Sequence, residues 1–253
     1  MLPHEKLDVY RKALAFVGDA SSSAARWDKR PAVADQFGRA SESLVLNLAE
    51  GARLRPGRAK LRTLDYALGS CLECAACLDI ACIKGFLETR ETTHYKRRVC
   101  EIARMLVGLG KAWSVWRLQE DSPPYGQTSL EEDNQPLFLH ETLHVYQAGL
   151  DLVRWMVGLP GAANLPTKSH RQIDEAATSI LLNIAEGNGR YCELDHRRLL
   201  DLAAAAAVKV AAGLDLATRK TSWDRMICEP GKILLERIVA MLSRMGAESP
   251  RRS

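Results

Sequence analysis

Leu7, Tyr10, Leu14 and Val17 recur at steps of three and four residues, and 136 positions later Leu143, Tyr146, Leu150 and Val153 repeat them. That spacing predicts an amphipathic helix at each place. A second helix is predicted from Val33, Phe37, Ala40, Leu44 and Leu48, and again from Ile173, Ala176, Ile180 and Ile184. Each ends near a glycine, Gly51 or Gly187, a residue suited to a left-handed cap. The third helix carries an unbroken 3,4 pattern through Leu61, Leu64, Leu68, Cys71, Ala75, Leu78 and Cys82, the pattern of a bundle seam. The fourth shows Tyr95, Val99, Ile102, Leu106, Leu109, Trp113 and Trp116, echoed by Leu235, Ile238, Leu242 and Met245.

The repetition extends to residue identity. His4-Glu-Lys-Leu-Asp-Val-Tyr10 returns as His140-Glu-Thr-Leu-His-Val-Tyr146, and Ser43-Leu-Val-Leu-Asn-Leu-Ala-Glu-Gly51 as Ser179-Ile-Leu-Leu-Asn-Ile-Ala-Glu-Gly187. Leu78-Asp79 and Leu214-Asp215 keep the same offset, as do Met105-Leu106 and Met241-Leu242. A constant offset across separated blocks points to two copies of one unit. The expected fold is all-α, with two tandem up-down-up-down four-helix bundles over residues 1–118 and 139–247, a linker at 119–138 and a frayed tail at 248–253. A single eight-helix core is the structural alternative. Val45 and Leu46, with Leu181 and Leu182, make the second helix apolar nearly all round. Such a helix is either central in its own bundle or packs its outer face on the other copy or another subunit.

These residues, above all Asn-Ile-Ala-Glu-Gly-Asn-Gly-Arg at 183–190, resemble the bacterial four-helix-bundle family whose founding members are encoded in intervening sequences of 23S ribosomal RNA genes. The chain is also similar to the accessory variability determinant proteins of diversity-generating retroelements. The resemblance covers most of both copies. It implies bundles that assemble into ring-like oligomers, no enzymatic activity, and a scaffold or accessory role near RNA or an RNA-handling enzyme such as a reverse transcriptase. Copy one departs from the family wording after Gly51, and copy two departs where Glu73 becomes Lys209.

Reactive chemistry finds little footing in the sequence. Asn47 and Asn183 lie on the apolar stripe and are expected to be buried polar groups that fix register; Glu50 and Glu186 are expected to pair with Arg62 and Arg198. Asp79 and Asp215 are further acidic groups on an apolar helix. No metal or cofactor is expected of these carboxylates. Cys71, Cys74, Cys77 and Cys82 look like a cluster motif, but on a continuous helix their sulfurs diverge, and copy two places Ala207, Val210, Gly213 and Thr218 there. They read as small core residues. His4 and His140 read as helix entry, and no P-loop or dinucleotide fingerprint is present. A metal-using bundle enzyme is the least favoured reading.

Composition narrows the class further. Of 253 residues, 47% are hydrophobic and 26% charged, the balance of a folded domain, and the seven cysteines fit a reducing, cytoplasmic setting. No continuous apolar run long enough for a membrane span is visible. The net charge of +4 is modest, so distribution decides. Arg53, Arg55, Arg58, Lys60 and Arg62 form an acid-free run at the turn after the second helix; Lys96, Arg97 and Arg98 form a second cluster; Arg190, Arg197 and Arg198 are the sparser counterparts in copy two. Such a rim suits phosphate contact without base stacking, the rival reading being a protein adaptor that touches no nucleic acid.

Overall fold

The computed structural model describes residues 2–27, 32–113, 136–159, 167–220 and 225–248. All its regular structure is helical: α1 (Asp8–Ala24), α2 (Ala32–Arg53), α3 (Arg58–Ile83), α4 (Thr89–Ala112), α5 (His144–Val157), α6 (Thr167–Asn188), α7 (Glu193–Lys220) and α8 (Arg225–Glu248). A short 3-10 turn precedes each set, at Pro3–Lys6 and Leu139–Thr142. Most of the expected linker, Trp116 and the tail beyond residue 248 lie outside the described residues. Leu137 and Phe138, assigned to the linker, belong instead to the second half, with Phe138 fully buried.

Within each half every helix packs on its chain neighbours and the fourth closes on the first, the connectivity of an up-down-up-down bundle. Helix α3 is bracketed by Gly57 and Gly85, both at positive φ, where glycine avoids the Cβ clash. Gly51 and Gly187 are not caps, contrary to the expectation, because α2 and α6 run through them. A Cβ on Gly51 would lie 2.6 Å from Thr63 Oγ1, and one on Gly187 3.2 Å from Leu199 Cβ, so both glycines serve close helix approach.

The two rings are not separate bodies. Buried side chains from both form one continuous apolar cluster, and α3 packs on α5 and α6 as well as on α2 and α4. Helix α3, not the second helix, is therefore the central element, buried on every side from Thr63 to Ala81. It is also long and apolar enough to cross a membrane, with mean hydropathy 1.6, but most of that stretch is covered by neighbouring helices. The outer face of α6, with Leu181 and Leu182, is buried, whereas in α2 Val45 is half-buried and Leu46 exposed. The first-helix stripe also divides. Tyr146, Leu150 and Val153 are buried, while Leu14 is exposed and α1 instead buries Val9, Ala13, Phe16 and Ala20.

Candidate functional site

Two charged arrangements stand out, one buried between the halves and one on the surface of the first. The buried one begins at Asp79 on α3. Its Oδ1 lies 2.6 Å from Lys96 Nζ, and its Oδ2 accepts a hydrogen bond of 2.9 Å from the Tyr146 hydroxyl. Lys96 Nζ also lies 2.8 Å from Glu141 Oε1. Burial opposes the charge on Lys96, but Asp79 and Glu141 together hold it above the ordinary ammonium range. His140 sits beside this group, stacked on Phe138 and edge-on to Tyr146, with neither ring nitrogen hydrogen-bonded. Burial, helped by the Lys96 charge, pushes its pKa down to about 3, so the ring is neutral.

Donor atoms of Asp79, His140 and Glu141 lie within 4.8 Å of one another, a spacing compatible with a cation. The Lys96 ammonium bridges two of the three, the carboxylates of Asp79 and Glu141. Nearer the other end of α3, Arg190 pairs with Asp65 at 3.2 Å and with Glu186, and stands over the Tyr66 ring. Lys84 pairs with Asp174 across the same junction. Burial and the adjacent Glu186 push the Glu73 carboxyl up to about 8.

These contacts remove several residues from the predicted cationic rim. Lys96 and Arg190 are buried in ion pairs between the halves. Lys60 is buried too; its ammonium donates to the Leu54 carbonyl and lies 3.5 Å from the centre of the Trp113 ring. An acid-free sequence run concealed this because Lys60 projects inward while its neighbours project outward. Arg98 is engaged by Asp19 at 2.7 Å, and Arg197 approaches Glu193 at 3.9 Å. Exposed positions remain at Arg53, Arg55, Arg58 and Arg62, with Arg198 in the second half. Among the described residues none of the first four forms an ion pair; Arg62 lies over the Tyr66 ring.

Helix α4 adds a basic face that the sequence reading only partly found. A groove along it is lined by Arg90, His94, Arg97, Arg98 and Arg104 against a single acid, Glu101. Positions 90, 94, 97, 101 and 104 fall on one helical stripe, so the spacing of the charged residues carries this face as the spacing of the apolar ones carries the core. The Lys60–Trp113 contact sets the C-terminal end of α4 beside the arginine turn, so Arg104 lies about 13 Å along the helix from that end. The second half has Met226, Pro230, Ile233, Arg237 and Ala240 at the corresponding positions, which removes most of the charge.

The remaining polar residues differ from expectation in instructive ways. Asn47 is half-buried and donates to the carbonyl and hydroxyl of Ser43 in its own helix, at 2.8 and 2.9 Å; Asn183 does the same with Ser179. Glu186 is bound by Arg190 rather than Arg198, and Glu50 is exposed without an ion pair among the described residues. Asp215 is not in the core, since its helix face is open, and it pairs with Lys232 at the surface. Cys71, Cys74 and Cys77 are fully buried on an unbroken helix, and burial raises their thiols above the usual range, which keeps them protonated.

Neither a comparison with curated proteins nor one with solved structures yields a match for the chain. Residues 5–108, from the opening turn into the C-terminal part of α4, match the family model of the 23S rRNA-intervening sequence protein.

Proposed function

We propose that the protein is a non-enzymatic accessory scaffold that holds structured RNA on the arginine-rich end of its first bundle. The observation that carries this reading is the exposure of Arg53, Arg55, Arg58 and Arg62 within ten residues, with no acid between Ala52 and Leu64. The α4 stripe extends the same field along the bundle. Guanidinium groups suit phosphate because their planar forks match its oxygens, and with no row of exposed aromatics among the described residues, backbone and shape are the features read. The match of residues 5–108 to that family model supports placing the activity on this half. A cytoplasmic location accords with the seven unpaired cysteines.

The test is fluorescence anisotropy of a labelled RNA hairpin across a salt series. Binding should weaken steeply with salt, and Arg55→Glu, Arg58→Glu and Arg62→Glu together should abolish it at moderate salt while leaving the thermal midpoint in place. Lys60 is left untouched because its burial would confound stability. Retained affinity with an unchanged salt slope would discard this site. Absence of RNA binding by the unaltered chain, together with stable capture of a neighbouring protein, would favour the adaptor reading.

A further inference from the structure

The cluster at the junction of the halves is built as a ligand set around a cation. Asp79 on α3 and Glu141 in the second 3-10 turn each have one carboxylate oxygen held by a protein donor. The Tyr146 hydroxyl donates to Asp79 Oδ2 at 2.9 Å, and the Leu137 backbone N–H donates to Glu141 Oε2 at 3.0 Å. The other oxygen of each, Asp79 Oδ1 and Glu141 Oε1, turns to one place, where the Lys96 ammonium stands 2.6 and 2.8 Å away. A ring nitrogen of His140 completes the group, its donor atom and one from each carboxylate lying within 4.8 Å of one another. The ring is fully buried, and neither nitrogen has a hydrogen-bond partner among the described residues.

Lys96 accounts for the carboxylates but not for the orphaned imidazole. A buried polar group without a partner is costly, and a free imidazole lone pair is what a divalent transition ion binds. The charges point the same way. Two carboxylates facing a single ammonium leave one formal negative charge in the group, and a divalent ion in place of the ammonium cancels it. One nitrogen with two oxygens is a mixed donor set that suits zinc, whereas calcium and magnesium take oxygen alone and more of it. The Tyr146 and Leu137 donors fix the carboxylates as outer partners fix metal ligands. The side chains of Lys96, Asp79 and Glu141 remain 12%, 15% and 10% exposed, so the group opens to solvent at one edge and an ion has a way in.

We propose that Asp79, His140 and Glu141 bind a zinc ion in the place filled by the Lys96 ammonium, and that the ion staples the two bundles together. Asp79 belongs to the first half and the other two ligands to the second. The ammonium keeps its proton and swings out to solvent on its long stem. Zinc sits about 2.1 Å from such ligands, nearer than an ammonium does, so the exchange draws the donors toward the ~3.4 Å edge of a tetrahedron and leaves the fourth position to water. A single site per chain is expected. The repeat sets Asp215, His4 and Glu5 at the corresponding positions, but Asp215 pairs with Lys232 at the surface, and no second group of this kind occurs among the described residues. The ligands come from distant parts of the chain, so no spacing in the sequence announces them.

The test is calorimetric titration of zinc chloride into the chelator-treated full chain, with the thermal midpoint measured alongside. The unaltered chain should take up a single zinc and melt higher with it. His140→Gln should weaken binding by about tenfold or more while the chain stays helical by circular dichroism. Lys96→Met keeps all three ligands and removes a like charge a few ångströms from the ion, so it should bind zinc about tenfold tighter or better. Zinc should also restore the thermal stability that this substitution removes. A purely structural cluster gives no such gain, and the gain does not depend on whether His140→Gln folds. No saturable uptake by the unaltered chain would overturn the proposal. So would uptake that His140→Gln leaves unchanged, which would place the ion on exposed groups such as Cys192, or a Lys96→Met variant that binds no tighter than its parent.

Discussion

His140 and Glu73 stand at different points of the junction between the halves, and burial drives their titrations in opposite senses. The unfolded chain protonates His140 near pH 6.5, whereas in the folded protein the ring stays neutral down to about 3. Between those values the unfolded state binds more protons, so stability falls as the solution is acidified. Glu73 behaves in reverse. Its folded pKa of about 8 exceeds the unfolded value of 4.5, so the folded state binds the extra proton and stability falls as pH rises between them. Glu186, Arg190 and Arg39 face it, the first opposing its ionisation and the two arginines favouring it. The thermal midpoint should therefore peak in mildly acidic solution, and Glu73→Gln should flatten the alkaline limb while leaving the acid limb intact. A variant whose midpoint declines toward pH 8 as steeply as the parent would refute this assignment. The sequence showed both groups as helix residues of no special kind, because burial by a distant segment leaves no mark on local spacing.

Among elements, the placement of α3 was the least legible feature. The presence of four helices in each half, the order of packing within each half and the recurrence at 136 residues were all readable, since periodicity encodes which face of a helix is apolar. Periodicity does not encode what covers that face. The stripe of Tyr10 and Leu14, read as the apolar face of an amphipathic helix, is in α5 the stripe of Tyr146 and Leu150; Tyr146 binds Asp79 of the other half. The missed signal was smallness: Gly69 and Ala76 on the back of α3, with Gly189 in the turn just past α6, let two backbones approach. Gly189→Ala tests how tightly. A Cβ there would lie 2.3 Å from Leu72 Cδ1, so either Leu72 moves or the helices part. Overpacking of this sort costs about 1–3 kcal/mol, and chemical denaturation should show a loss in that range. Combining it with Leu72→Ala should recover less than the sum of the separate losses, as the two share one contact. Strict additivity would mean that the helices do not meet at this point.

For the molecule as a whole, the cost of a merged core is that neither half has a complete surface of its own. Separated, the second half would bare Phe138, Tyr146 and Leu182, and the first would bare Leu72 and the Asp79–Lys96 pair, whose remaining partners come from residues 140–146. An ion pair stripped of part of its buried partnership is a large fraction of the stability of a small domain. The two bundles should therefore unfold together despite the long intervening segment. Scanning calorimetry is the measurement. One transition is expected, with calorimetric and van't Hoff enthalpies equal. Lys96→Met, which strands Asp79 and Glu141 at the centre of the junction, should move that single transition down as a unit. Two resolved transitions, with only the first half affected by the substitution, would show instead that the halves merely touch.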